Sequence, residues 1–80
     1  MKADLVDRLD SVVSAAQWRD AHRLAHEIKG MAGTMGAWRL AELGAAIEAL
    51  AQAAPPAVPS AAVDSLRAEW QAVEAVLAVF

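Results

Sequence analysis

The sequence predicts an all-α fold: an antiparallel up-down-up-down four-helix bundle formed by one domain of 80 residues. Three observations predict it. Apolar residues recur at three- and four-residue steps in four separate segments, which is the period of one helix face. Short breaks separate these segments, and short connections favour antiparallel neighbours. The composition, rich in alanine, leucine and glutamate with one Phe and no Tyr, favours helix over sheet.

The first half of the chain predicts two helices around a short break. Residues 4–13 form a short helix with Asp4 as a candidate N-cap. Its apolar stripe consists of Leu5, Leu9, Val12 and Ala16. The run Ser14-Ala15-Ala16-Gln17 fits the capping-box pattern, which predicts that one helix ends and another begins. The second helix spans about residues 16–35, and Gly36 suits the left-handed conformation that ends a helix.

The second half of the chain predicts two more helices. The third spans about residues 37–53 and ends before the proline-rich run 55–59, which cannot continue a helix. Ser60 is a candidate N-cap for the last helix, over about residues 61–79. The stripes of all four helices predict one shared core: Leu5, Leu9, Trp18, Ile28, Leu40, Leu43, Ile47, Leu66, Trp70, Val73 and Leu77.

Two large side chains flank the second break. Met35 continues the apolar stripe of the second helix, so we expect it in the core. Trp38 lies on the opposite side of its helix from Leu40 and Leu43. The pattern therefore leaves two places open for Trp38, over the end of the second helix or on the surface.

Composition and charge limit the class of partner. The formal net charge of -3 at pH 7 argues against nucleic acid or an anionic membrane as the main partner. The chain contains no cysteine, so neither disulfides nor thiolate chemistry are available. No apolar run reaches the roughly 20 residues of a membrane-spanning helix, and the N-terminus lacks the apolar core of a signal peptide. We therefore expect a cytoplasmic protein.

The polar face of the second helix carries the candidate chemistry. At about 100° per residue, His26, Lys29, Gly30 and Gly33 all fall on the side away from the apolar stripe. Gly30 follows His26 by four residues, where a side chain would otherwise overhang the imidazole. A glycine inside a helix costs about 0.8–1.0 kcal/mol relative to alanine. Two glycines on this face therefore indicate that access to His26 is needed.

An accessible imidazole beside a lysine suits phosphoryl transfer. A neutral imidazole nitrogen can attack a phosphoryl group and then carry it. The ammonium of Lys29, one turn after His26, can neutralise the transferring oxygens, which gives this lysine a phosphate-facing role. These residues predict a phosphoacceptor site at His26.

The run His26-Glu27-Ile28-Lys29-Gly30 resembles the signature of histidine-containing phosphotransfer (HPt) domains. Trp18, eight residues before the histidine, corresponds to a position that is often aromatic in that family. The resemblance covers roughly residues 15–53. On the third helix, Leu40, Leu43 and Ile47 correspond to the family's core positions, and Glu48 corresponds to its polar position near the histidine. Two residues depart from the family pattern, since Met31 stands where serine is frequent and Glu48 where glutamine is frequent.

The resemblance implies one HPt-like domain over residues 1–80 that acts as a phosphorelay intermediate. His26 would accept a phosphoryl group from an aspartyl-phosphate of one response-regulator receiver domain and pass it to another, downstream of a hybrid histidine kinase. Such a domain is a monomeric phosphocarrier and not an enzyme. It needs no cofactor of its own, because the receiver supplies Mg²⁺. The sequence also has no Gly-rich phosphate loop with which it could bind ATP and phosphorylate itself.

Other residues near His26 are candidates for a receiver-docking face. His22, one turn earlier, is expected to flank this face. Small residues of the third helix share the side away from the leucine seam: Ala41, Gly44 and Ala45. They are either helix-favouring filler or a low surface that lets a partner approach. His22 and His26 have the i, i+4 spacing of a zinc pair, but a third ligand would have to come from Glu27 or another helix, and no metal site is predicted.

Two other interpretations stay open. The run 26–29 also resembles the start of the His-box in the dimerisation helix pair of histidine kinases. That box continues with Thr or Asn and then Pro, whereas this chain continues with Gly30 and Met31. The kinase hairpin is an obligate dimer, so the oligomeric state separates the two. The third interpretation is a non-catalytic helical interaction module that keeps the fold without the chemistry.

Overall fold

A computed structural model of the chain describes the backbone of residues 4–79 and the side chains of residues 5–78. It contains four helices: α1 (Asp4–Ser14), α2 (Trp18–Thr34), α3 (Trp38–Gln52) and α4 (Ser60–Val79). Each helix packs against its two neighbours in a ring, and α2 with α3 forms the most extensive pair. The bundle is elongated, with principal extents of 41 × 19 × 17 Å. The predicted all-α four-helix bundle is confirmed, and the helix ends lie within two residues of their predicted positions.

The first turn differs from its predicted chemistry. Ser14 lies in the last turn of α1, and Gln17 is the N-cap of α2 without a side-chain capping bond, so the capping box is wrong. Ala16 adopts the left-handed conformation with φ of 56° and is exposed, so it is not part of the apolar stripe. The amides of Ala16 and Gln17 donate to the carbonyls of Val13 and Val12 at 3.0 and 2.8 Å. These bonds form a Schellman motif, in which alanine takes the place usually occupied by glycine.

The second turn has the chemistry expected from its glycine. Gly36 has φ of 76° and donates its amide to the carbonyl of Gly33 at 3.2 Å. The amide of Ala37 donates to the carbonyl of Ala32 at 2.9 Å. The pair of bonds is again a Schellman motif, which ends α2 and reverses the chain into α3. The predicted C-terminal role of Gly36 is confirmed.

The core occupies the centre of the bundle and contains most of the predicted residues. Six of them are buried: Leu9, Ile28, Leu40, Ile47, Leu66 and Trp70. Four others are partly buried and pack against that core: Leu5, Trp18, Leu43 and Val73. Val6 is also buried, although the predicted stripe of α1 passes through Leu5 instead.

Two predicted core residues are wrong because they lie at one end of the bundle. Leu77 is 46% exposed and Met35 is 39% exposed. Both side chains line an open recess between the α2–α3 turn and the last turns of α4. Met35 is the C-cap residue of α2, where the helix stripe no longer faces the core. Trp38 lies on the surface with 68% exposure, which decides between its two predicted places.

Ion pairs connect α4 to two other helices. The Arg67 guanidinium donates to Asp7 Oδ1 at 2.6 Å and to Asp10 Oδ2 at 3.2 Å, which joins α4 to α1. The hydrogen bond to Asp7 raises the pKa of Arg67. Arg39 Nε lies 3.6 Å from Glu69 Oε2 and joins α3 to α4. These pairs lie at the surface, where an ion pair contributes little to stability.

Candidate functional site

His26 projects from the middle of α2 into solvent. Its side chain is 66% exposed, whereas its neighbours Ala25 and Ile28, in the apolar stripe of α2, are buried. A Cβ atom placed on Gly30 or Gly33 would meet no other heavy atom of the described residues within 4 Å. The surface of α2 beyond His26 is therefore open at both glycines, as the predicted access to His26 requires.

Glu48 reaches His26 from the facing helix. Its Oε2 atom lies 2.6 Å from His26 Nδ1, and its side chain is only 14% exposed. An ionised carboxylate can only accept hydrogen bonds, so the proton of this contact belongs to Nδ1. In the neutral imidazole the lone pair is then on Nε2. The α3 carboxylate thus selects the tautomer whose Nε2 can act as a nucleophile.

Lys29 and His22 complete a cluster around the same carboxylate. Lys29 Nζ lies 3.4 Å from Glu48 Oε1, and its side chain is 44% exposed. His22 Nε2 lies 3.5 Å from Glu48 Oε2, and its ring stacks on that of His26 with centroids 6.4 Å apart. We call His22, His26, Lys29 and Glu48 the acceptor cluster. The predicted phosphate-facing lysine is therefore held next to a carboxylate.

This joint role of Glu48 was missed by the sequence interpretation, which placed the residue near His26 only by resemblance. A signal for it exists in the sequence. Three potential donors, His22, His26 and Lys29, lie on one face of α2, and Glu48 is the acidic side chain on the adjoining side of α3. Spacing within each helix does not give the rotation of one helix against the other, so the shared contact needed the structure.

The environment of Glu48 lowers the pKa of its carboxyl. Burial raises the pKa, but hydrogen bonds from His26 and Lys29, together with the charges of both residues, outweigh the burial. A carboxyl whose pKa is lower in the folded state stabilises the fold above its unfolded pKa. This stabilisation is lost as the pH falls through the folded pKa.

We expect Glu48→Gln to lose this acid-sensitive part of the stability. Urea unfolding of both proteins should show wild type more stable than Glu48→Gln at about pH 7. At about pH 3 the difference in free energy of unfolding between the two proteins should be smaller. Glu42→Gln, at an exposed glutamate of the same helix, is the control and should show a smaller change. If the difference in free energy of unfolding between wild type and Glu48→Gln is the same at both pH values, the stated cause of the pKa shift is contradicted.

Gly44 does not belong to a docking face, which corrects its predicted role. It is buried, and a Cβ atom placed on it would lie 3.2 Å from the Lys29 backbone nitrogen and 3.3 Å from the Ala25 carbonyl oxygen. These contacts are tighter than ordinary van der Waals distances and involve backbone that cannot rotate away. The glycine instead allows α3 to approach α2 closely, and this approach places Glu48 near His26.

Of the other predicted docking residues, His22 lies on α2 in the acceptor cluster, and Ala41 and Ala45 lie at the surface of α3. Both alanines are half-buried. Trp38 precedes them by three and seven residues, so it lies on the same side of the helix. The structure thus places two small residues and one large exposed aromatic ring on the side of α3 next to the acceptor cluster.

The acceptor cluster does not have the geometry of a metal site. Among the described residues, no group of three or more His, Cys, Asp or Glu side chains is arranged to hold a metal ion. The 2.6 Å contact between His26 Nδ1 and Glu48 Oε2 is shorter than the roughly 3.3 Å between two ligand atoms of one tetrahedral zinc. The two side chains bond to each other instead of leaving space for an ion.

Comparison with known families agrees with this geometry. The sequence model described as the Hpt domain matches residues 3–76, which include all four residues of the acceptor cluster. The chain belongs to the Hpt domain family. Hpt domains have a phosphotransfer role in two-component signalling, where they are phosphocarriers. Comparisons with curated proteins and with solved structures found no match.

Membership of the Hpt family agrees with the resemblance found in the sequence, and it extends this resemblance to α1 and α4. In the described part of this Hpt domain, no helix has the length and apolar character needed to cross a bilayer. The family match names no position within the site. The roles of individual residues therefore depend on the contacts described above.

Proposed function

We propose that this chain is a phosphorelay intermediate whose His26 accepts a phosphoryl group from the aspartyl-phosphate of one receiver domain and passes it to another. The observation that carries the proposal is the 2.6 Å hydrogen bond between His26 Nδ1 and Glu48 Oε2. It supports Nε2 as the nucleophile, on a side chain that is 66% exposed. A partner can therefore reach this nitrogen without movement of the bundle.

The proposed transfer needs no proton to move in this chain. The Nε2 lone pair attacks phosphorus, an Nε2–P bond forms, and the acyl-phosphate P–O bond breaks. The electron pair of the broken bond leaves with the carboxylate of the partner's aspartate. Because Nδ1 keeps its proton, the ring gains positive charge as the new bond forms. The reverse sequence, with a carboxylate of the next receiver as nucleophile, returns the ring to its neutral form.

Two groups of the acceptor cluster can stabilise this change in charge. The Glu48 carboxylate, in contact with Nδ1, is opposite in sign to the charge that develops on the ring. The Lys29 ammonium is 44% exposed, so it can turn toward the phosphoryl oxygens while its stem stays beside Glu48. This chain supplies the nucleophile and its electrostatic environment. The proposal assigns Mg²⁺ and the remaining transfer groups to the receiver domain, with a hybrid histidine kinase upstream.

The packing of the bundle supports a phosphotransfer module over the kinase hairpin. Residues of all four helices of one chain contribute to the core: Val6, Leu9, Ala21, Leu24, Ile28, Leu40, Ile47, Val63, Leu66 and Trp70. A two-helix hairpin needs a second copy to enclose such a core. We therefore propose a monomer, which sedimentation at several concentrations can measure.

The test is transfer of label from a phosphorylated receiver domain. Wild type should acquire an acid-labile phosphoryl group, His26→Gln should acquire none, and His22→Gln should retain most of the labelling. His22 is the matched control because it contacts the same carboxylate, at 3.5 Å, but lacks the short hydrogen bond. Persistent labelling of His26→Gln would exclude His26 as the acceptor. No labelling of wild type by any receiver of the source organism would favour the interaction-module interpretation.

A further inference from the structure

Trp38 is the most exposed of the large apolar side chains in the described part of the chain. It is 68% exposed at the first residue of α3, while Trp70 is fully buried and Trp18 is partly buried. An aromatic ring of this size can bury about 150–250 Å². Tryptophan is also enriched among the residues that contribute most to protein–protein binding. Its position in water therefore raises the question of which partner covers it.

The rotation of α3 places Trp38 on the same side of the molecule as the acceptor cluster. Gly44 faces the backbone of α2, and Glu48, about 40° further around the helix, contacts His26 and Lys29. Continuing around the helix from Gly44 past Glu48, Ala45 lies about 60° beyond Glu48 and Trp38 about 80° beyond it. The half-buried Ala45 thus lies between the acceptor cluster and the exposed indole.

The distance along α3 also fits one partner. Trp38 lies ten residues before Glu48, which is about 15 Å at the rise of an α-helix. A partner that transfers a phosphoryl group must cover His26. A standard interface covers about 800 Å² on each partner, equivalent to a disc of about 16 Å radius. A receiver centred on His26 would therefore reach Trp38 at its edge, and a receiver centred toward the α2–α3 turn would cover it fully.

We propose that Trp38 is the apolar anchor of the receiver-docking surface, which consists of Gly30 and Gly33 on α2 and of Ala41, Ala45 and Trp38 on α3. This inference rests on the proposed function and names where the receiver binds. The small residues let the partner come close to the backbone of both helices, and the indole packs against an apolar part of the partner's surface away from its phosphorylation site. At the other end of the α2 face, Arg19 is opposite in charge to an aspartyl-phosphate, whereas Arg23 pairs with Asp20 at 3.4 Å.

A second copy of this chain fits Trp38 less well. The other exposed apolar side chains at this end, Met35, Val76 and Leu77, line a separate recess formed by the α2–α3 turn and α4. Trp38 is not a lining residue of that recess. Its helical stripe leads along α3 toward Glu48 and away from α4. The continuity with the acceptor cluster therefore favours the receiver as the partner that covers Trp38.

The test measures the affinity of a phosphorylatable receiver domain for the full chain and the rate of phosphoryl transfer. We expect Trp38→Ala to raise Kd by about tenfold or more. The transfer rate at saturating receiver should change by less than about twofold, because the acceptor cluster is intact. Labelling of His26 by phosphoramidate, a small donor without a docking surface, should be unchanged. The matched control is Val76→Ala, at a 57% exposed residue of α4, which should leave Kd near the wild-type value.

Three results would overturn the anchor. The first is an unchanged Kd in Trp38→Ala while wild type is labelled, which would leave the proposed function intact. The second is a Kd increase of equal size in Val76→Ala, which would place the receiver on the α4 end. The third is self-association of wild type that Trp38→Ala removes while receiver binding stays the same. If receivers neither bind nor label wild type, the proposed function fails together with the anchor.

Discussion

Gly30→Leu is expected to reduce phosphoryl transfer to His26 by at least about a hundredfold while the bundle remains folded. Side chains of a helix point toward its N-terminus, so a leucine at position 30 would cover the turn that carries His26. A displacement of about 1 Å in the reacting groups can cost about a hundredfold in rate. The measurement is the initial rate of labelling by a phosphorylated receiver, with circular dichroism to verify the fold.

Gly30→Ala is the matched control for steric blocking. The Cβ position of Gly30 is open space in the described structure, and alanine is a better helix former by about 0.8–1.0 kcal/mol. We therefore expect the alanine variant to unfold at higher urea concentration and to retain most of the transfer. Normal transfer in Gly30→Leu would show that clearance at this position is unnecessary. Loss of folding in the leucine variant would contradict the exposed position of Gly30.

Gly44→Leu is expected to destabilise the fold by about 3 kcal/mol, the upper end of the usual cost of overpacking. Even the first carbon of the new side chain would lie 3.2 Å from the Lys29 amide nitrogen and 3.3 Å from Lys29 Cα. Since these are backbone atoms, α2 and α3 would have to separate. A domain of this size has a total stability of roughly 4–12 kcal/mol, so the loss should be large in urea unfolding.

The control for Gly44→Leu is the same residue at an exposed position of the same helix. Ala46→Leu adds a leucine to α3 where the side chain is exposed, and alanine and leucine have similar helix propensity. We expect this variant to differ from wild type by less than about 0.5 kcal/mol. Equal stability of the two leucine variants would show that the helices can separate at Gly44 without cost.

The sequence was sufficient for the helices, because their apolar residues repeat with the helical period and their ends have identifiable residues. Gly36 was predicted as the end of α2 and has the left-handed conformation that this role requires. Ala16 was not predicted as a turn residue, since alanine rarely takes this conformation. Leu77 shows the limit of periodicity, which identifies a helix face but not how far the neighbouring helices extend along it.

The candidate site was predictable only in part. His26 and its two following glycines could be identified because the spacing lies within one helix. The contact of Glu48 with His26, Lys29 and His22 depends on the rotation and separation of two helices, which no local pattern specifies. Gly44 was assigned to the surface because the sequence pattern does not distinguish a glycine exposed on a polar face from a glycine packed against a neighbouring helix.

The close contact at Gly44 also divides α3 into positions with different freedom for redesign. Residue 44 holds the two helices at the separation that lets Glu48 reach His26. Trp38 is exposed and Ala41 and Ala45 are half-buried, and these three outer positions of the same helix belong to the proposed docking surface. An engineer who wants to direct this domain to a different signalling protein can therefore vary the outer positions in a library while keeping residues 44 and 48 fixed. Selection for a new partner would then leave the contact between Glu48 and His26 in place.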